Sequence, residues 1–149
     1  MLLAEALQQR ADLNAKISDL ERRITANALV QEGESPAEDP TELLQEYDAA
    51  VKQYGELIGK INLTNCSTVR NGMTLTEIIA RKDALNVQLA GYREFASAAN
   101  QNTYRTRGTE IRVLSTLNVK ELRKQADAIS KEIRQLDNLL QETNWTTQI

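Results

Sequence analysis

The stretch VKELRKQADAISKEIRQLDNLLQET, residues 119–143, decides the fold class. Its apolar residues Val119, Leu122, Ala126, Ile129, Ile133, Leu136 and Leu140 recur in steps that alternate between three and four. That spacing averages about 3.5 residues, the period of a helix that keeps one narrow stripe toward a partner helix. Between them lie Lys124, Asp127, Lys131, Glu132 and Arg134, the dress of a solvated helix face.

Three more ladders share this rhythm. The first is Leu3, Ala6, Arg10, Leu13, Ile17, Leu20 and Ile24, with Asn27 next on the stripe. The second is Leu44, Tyr47, Val51, Tyr54, Ile58 and Ile61, and the third is Leu75, Ile78, Lys82, Leu85, Leu89, Tyr92 and Ala96. Leu43, Leu57, Ile79 and Leu139 widen the stripes, which favours a multi-helix core over an isolated two-stranded coil. Fully burying one large apolar side chain contributes roughly 1.5–3 kcal/mol, whereas a lone helix of this length is marginal in water. The ladders must therefore pack on one another, on a second subunit, or on both. Arg10, Asn27, Asn65 and Lys82 interrupt the seams: each either sits at a helix end or carries its head to water, or fixes register and oligomeric state.

Punctuation divides the chain into helices over about 2–30, 40–65, 75–99 and 118–143. An acidic loop fills 31–39, a polar connection 100–117 and a tail 144–149. The loop carries the strongest breakers, and Asp39-Pro40-Thr41-Glu42 supplies an N-cap, a first-turn proline and an acidic first turn. Asn71-Gly72 marks a tight turn that can close a very short hairpin between Thr68-Val69 and Met73-Thr74. Thr74-Leu75-Thr76-Glu77 is a capping box, and Asn118 caps the last helix. In the connection, Glu110-Ile111-Arg112-Val113-Leu114 alternates as a strand does. The expected fold is all-α: an antiparallel bundle of four long helices, two helical hairpins with coiled-coil-like seams, in a single domain spanning 1–149.

Composition excludes many function classes. A net charge of −3 gives no general attraction to phosphate backbones, so no nucleic-acid partner is expected. No stretch approaches the roughly 20 apolar residues of a bilayer span, and Met1-Leu2-Leu3-Ala4-Glu5 lacks the basic start and apolar core of a signal peptide. A cytoplasmic location is expected, in keeping with the single cysteine, Cys66. Cys66 reads as a small buried filler or as a reactive thiol.

Histidine is absent, which removes the commonest general base and transition-metal ligand, and one cysteine cannot build a zinc site. Gly55-Glu56-Leu57-Ile58-Gly59-Lys60 is one residue short of a phosphate-binding loop, lacks its hydroxyl and falls inside a helix. No catalytic residue, cofactor or metal site is assigned.

Up-down-up-down topology would gather the loop after helix 1 and the connection after helix 3 at one end, and the Asn71-Gly72 turn and both termini at the other. Glu32, Glu34, Glu38 and Asp39 would then stand opposite Arg105, Arg107 and Arg112 as an interaction surface. Such pairs, each worth no more than ~1 kcal/mol when exposed, select partners more than they hold a fold. The acidic loop could instead hold a hard cation such as calcium, although it lacks the ligand alternation of an EF-hand. Trp145, placed after helix 4 in a polar tail, either closes the end of the bundle or anchors a neighbouring subunit.

Gln31-Glu32-Gly33-Glu34-Ser35-Pro36-Ala37-Glu38-Asp39-Pro40, Ile61-Asn62-Leu63-Thr64-Asn65 and the terminal Asn144-Trp145-Thr146-Thr147 together resemble a family of small bacterial proteins described as septicolysin-like or as a domain of unknown function. The resemblance covers essentially the whole chain. It implies an uncharacterised all-helical bacterial protein, and the lysin label implies membrane-active, pore-forming behaviour; it carries over no catalytic residues. From the residues themselves the expectation is a non-enzymatic scaffold that forms a homo-oligomer, with a lytic protein and a cation-binding module as the alternatives.

Overall fold

The computed structural model describes residues 1–100 and 111–149. The chain is all-α, with four long helices among the described residues: α1 (Leu3–Ala26), α2 (Pro40–Ser67), α3 (Leu75–Ala99) and α4 (Val119–Thr146). A two-stranded ribbon, β1 (Val69–Arg70) and β2 (Met73–Thr74), links α2 to α3. Two compact units result: Met1–Thr74 with Thr143–Ile149, and Leu75–Glu142.

In the first unit α1 and α2 form an antiparallel hairpin. Leu20, Leu43 and Ala50 are its buried cluster, flanked by half-buried Ile17, Ile24 and Tyr47. The seam of α2 keeps Ile61 and half-buried Tyr47 of the expected series and shifts by one residue at the two positions where Leu43 and Ala50 take the place of Leu44 and Val51. Leu43, Ala50, Leu57 and Ile61 are buried, while Leu44 is 50% and Val51 39% exposed. Both series keep helical spacing, so periodicity alone cannot choose between adjacent stripes. The stripe facing α1 is the one that packs.

Local chemistry sets the boundaries. Asp39 Oδ1 accepts from the Thr41 amide at 2.9 Å and Pro40 begins α2, as its missing N–H allows. At the start of α1, the Glu5 carboxylate accepts from the Leu2 amide at 2.7 Å. α1 stops at Ala26, four residues before the expected end. The Asn27 side chain turns back to donate to the Arg23 carbonyl at 2.9 Å, and Leu29 beyond it is 91% exposed. α2 runs two residues further than expected, to Ser67, and α4 three further, to Thr146.

Asn71 (φ 52°) and Gly72 (φ 81°) form the two-residue turn of the ribbon, both in the left-handed region that this hairpin geometry demands. The chain's ends also pair within this unit. Leu2 and Gln148 form an antiparallel bridge, Leu3 donates to the Thr147 carbonyl at 2.9 Å, and Ile149 donates to that of Met1 at 3.0 Å.

In the second unit α3 and α4 run antiparallel: Arg81 pairs with Glu132, Lys82 with Asp137, and Leu89 clusters with Ala126 and Ile129. Asn118 Oδ1 accepts from the Glu121 amide at 3.1 Å, capping α4 as expected. The strand expected over residues 110–114 is not formed in its described part. Ile111, Arg112, Val113 and Leu114 are exposed and join no ladder, and alternation without a neighbouring edge cannot make a sheet.

Candidate interaction surface

The acidic connection is tied to its own helix. Arg23, on the last turn of α1, directs its guanidinium at Glu38, with Nε at 3.2 and 3.1 Å from the two carboxylate oxygens and a close contact from the terminal nitrogen. Asp19, one turn back, also contacts Arg23 and pairs with Arg22. Asn27 completes the junction: its Oδ1 accepts from the Glu38 amide at 3.1 Å. One amide side chain thus caps a helix and holds the returning loop.

These contacts move proton affinities. Hydrogen bonding from Arg23 holds the Glu38 carboxyl below the usual carboxylate range, although partial desolvation opposes it. The Asp19 carboxyl is lowered chiefly by its hydrogen bond from Arg22. On the neighbouring helix, the nearby Glu21 charge, together with a 3.3 Å hydrogen bond from the phenol to its carboxylate, raises the Tyr47 hydroxyl.

The expected opposition of acidic and basic loops takes a different form. The partner of Glu38 is Arg23, within the same hairpin, because the short connection brings the two within reach before any distant residue can compete. Asp39 is used as a helix cap, and Glu32 and Glu34 are exposed. Arg105 and Arg107 lie outside the described residues; Arg112 is exposed and belongs to the other compact unit. Sequence reading missed Arg23, although Asp19 and Arg23 stand at the i, i+4 spacing that pairs charges along a helix. Among the described residues no group of three or more Cys, Asp or Glu side chains is placed to hold a metal ion.

Trp145 lies inside the last turn of α4 rather than beyond it, because the helix continues through the Asn-Trp-Thr segment. It is 61% exposed, so it does not close a core; Thr143, two residues earlier, is the buried one. Cys66 is exposed and is not the buried filler expected of it, since position 66 falls on the outer side of the last turn of α2. Among the seam interruptions, Asn27 is a helix end, Arg10 is exposed and Lys82 carries its ammonium to Asp137.

With this geometry in view, the chain matches the family of unknown function (DUF6847) over residues 10–149, and it belongs to that family. Nothing in that match supports a septicolysin-like assignment. A solved structure is similar along nearly the whole length: a functionally unknown conserved protein from Corynebacterium diphtheriae. It is 38% identical, the similarity covers 99% of this chain and 97% of that one, and the TM-score is 0.88. No curated protein matches the chain. Among the described residues no helix is long and apolar enough to cross a membrane.

Proposed function

We propose that this protein is a non-enzymatic helical scaffold that works by associating with copies of itself through its helix faces. The carrying observation is the second apolar stripe of α2. Leu44 and Val51 stand seven residues apart on one side of the helix, half exposed, beside the Leu43–Ala50–Leu57–Ile61 seam that α1 fills. A seven-residue apolar repeat left uncovered is the pattern a neighbouring helix completes. Trp145, with an exposed indole, adds the kind of anchor that dominates interface energetics. The total lack of histidine supports a role without acid–base chemistry.

The reading is tested by light scattering across micromolar concentrations on the intact chain and on Leu44→Glu/Val51→Glu. The expected result is an oligomer that the double variant dissolves while helical circular dichroism persists, since neither side chain belongs to the buried cluster. A wild-type chain that stays monomeric throughout that range overturns the proposal.

A further inference from the structure

A cavity of about 350 Å³ opens on the second compact unit, between the C-terminal part of α3 and the N-terminal part of α4. Tyr92, Arg93 and Ser97 line it from α3, Asn100 from the residue just after that helix, and Arg123 from α4. Its remaining walls are Ala96 and Ala126, both buried, whose single methyl groups leave room where larger seam residues would fill the gap.

What distinguishes this cavity is unspent hydrogen-bonding capacity of one kind. Elsewhere on α3 the cations are satisfied, Arg81 by Glu132 and Lys82 by Asp137. Arg93 and Arg123 have no carboxylate within ion-pair distance among the described residues, and the Ser97 hydroxyl and Asn100 amide make no side-chain hydrogen bond there. No carboxylate is among the described residues that line the wall. Around Arg123, Lys120 and Lys124 add positive charge, against Glu121 and Asp127 on the same stretch of helix. Two guanidiniums present fixed forks of N–H donors that match the geometry of an oxyanion, and a hydroxyl and an amide beside them add neutral donors. In a chain of net charge −3, such a concentration of donors is local rather than a reflection of overall composition.

We propose that this cavity binds a small molecule through an oxyanionic group, phosphate or carboxylate, held between Arg93 and Arg123 with Ser97 and Asn100 donating to its remaining oxygens. The site goes beyond self-association and involves neither Leu44 nor Val51. A ligand there would bridge α3 and α4 at their open end. Its occupancy would therefore reinforce the pairing that Arg81–Glu132 and Lys82–Asp137 make further along.

The test titrates the full-length chain with inorganic phosphate and, separately, with malonate, at ionic strength matched by sodium chloride. Amide chemical shifts provide the readout. Saturable shifts at Ser97 and Asn100 with either anion are expected, and which anion saturates first distinguishes phosphate from carboxylate recognition. Arg93→Gln and Arg123→Gln should each weaken that binding roughly tenfold, the loss of one charge-assisted contact. Both arginines are exposed, so far-UV circular dichroism should match the parent chain. Ser97→Ala, a milder change on an exposed position, should weaken binding less than either. No saturable shift beyond the chloride control overturns the proposal, as does binding that both arginine variants leave unchanged.

Discussion

Asn27→Ala is the most informative single substitution for the first compact unit. In the native hairpin Nδ2 donates to the Arg23 carbonyl at 2.9 Å and Oδ1 accepts from the Glu38 amide at 3.1 Å. Alanine removes both bonds and leaves the backbone contacts of residue 27 to the Arg23 and Ile24 carbonyls in place. Each intramolecular hydrogen bond contributes about 1 kcal/mol net, and a partly buried amide that loses its acceptor costs at least that, so the expected loss is roughly 2 kcal/mol. For a chain of this size 1 kcal/mol corresponds to about 2–4 °C, so the melting temperature should fall by about 4–8 °C. Because the chain forms two compact units, thermal melting is paired with native-state hydrogen exchange, which assigns the loss to the hairpin. The Glu38 amide should lose protection first. A variant that melts within about 1 °C of the parent, with Glu38 still protected, would refute the account of the junction.

The remaining predictions concern the core and acid. Leu20 is 1% exposed in the cluster with Leu43 and Ala50, so Leu20→Ala should cost about 2–5 kcal/mol, read by urea unfolding; a loss under about 1 kcal/mol would place the core elsewhere. Leu44→Ala, on the half-exposed stripe beside it, should leave the hairpin's own unfolding close to the parent when measured by urea unfolding at high dilution. Glu38 and Asp19 carboxyls are lowered in the folded chain, so the unfolded chain binds protons more readily. Their contribution is complete above the ordinary carboxylate range and fades as pH falls through that range toward the lowered native values. Melting temperature followed from neutral to acid pH should decline there, and Glu38→Gln should flatten the decline. An identical profile in the variant would count against the Arg23 clamp.

Much of the fold was legible because helices announce themselves by period and by caps. The Val119–Leu140 ladder, the Asp39-Pro40 start, the Asn118 cap and the Asn71-Gly72 turn each rest on a local rule that needs no knowledge of the rest of the chain. The alternating Ile111–Leu114 segment misled for the complementary reason. A strand is a statement about a neighbour, and no described neighbour pairs with it. The same distinction accounts for Asn27. On the stripe it counted as the next seam position, yet its amide is spent on the helix end and the returning loop.

The one-residue offset of α2 bears most on function. Leu43 and Leu44, like Ala50 and Val51, are consecutive, about 100° apart on the helix, and a stripe can be drawn through either member of each pair. The sequence stripe ran through Leu44 and Val51 because they fall in three-and-four steps with Tyr47, Tyr54, Ile58 and Ile61. Against α1, however, the smaller Ala50 sits between Leu43 and Leu57, and a small residue at that position lets two helices approach closely. Leu44 and Val51 are then left on the shoulder. Leu44 and Val51, seven residues apart, are the pair that the proposed self-association would cover with a second helix. The pattern was therefore accurate about the helix and about Tyr47 and Ile61, and it left open which of two adjacent residues, Leu43 or Leu44 and Ala50 or Val51, meets α1.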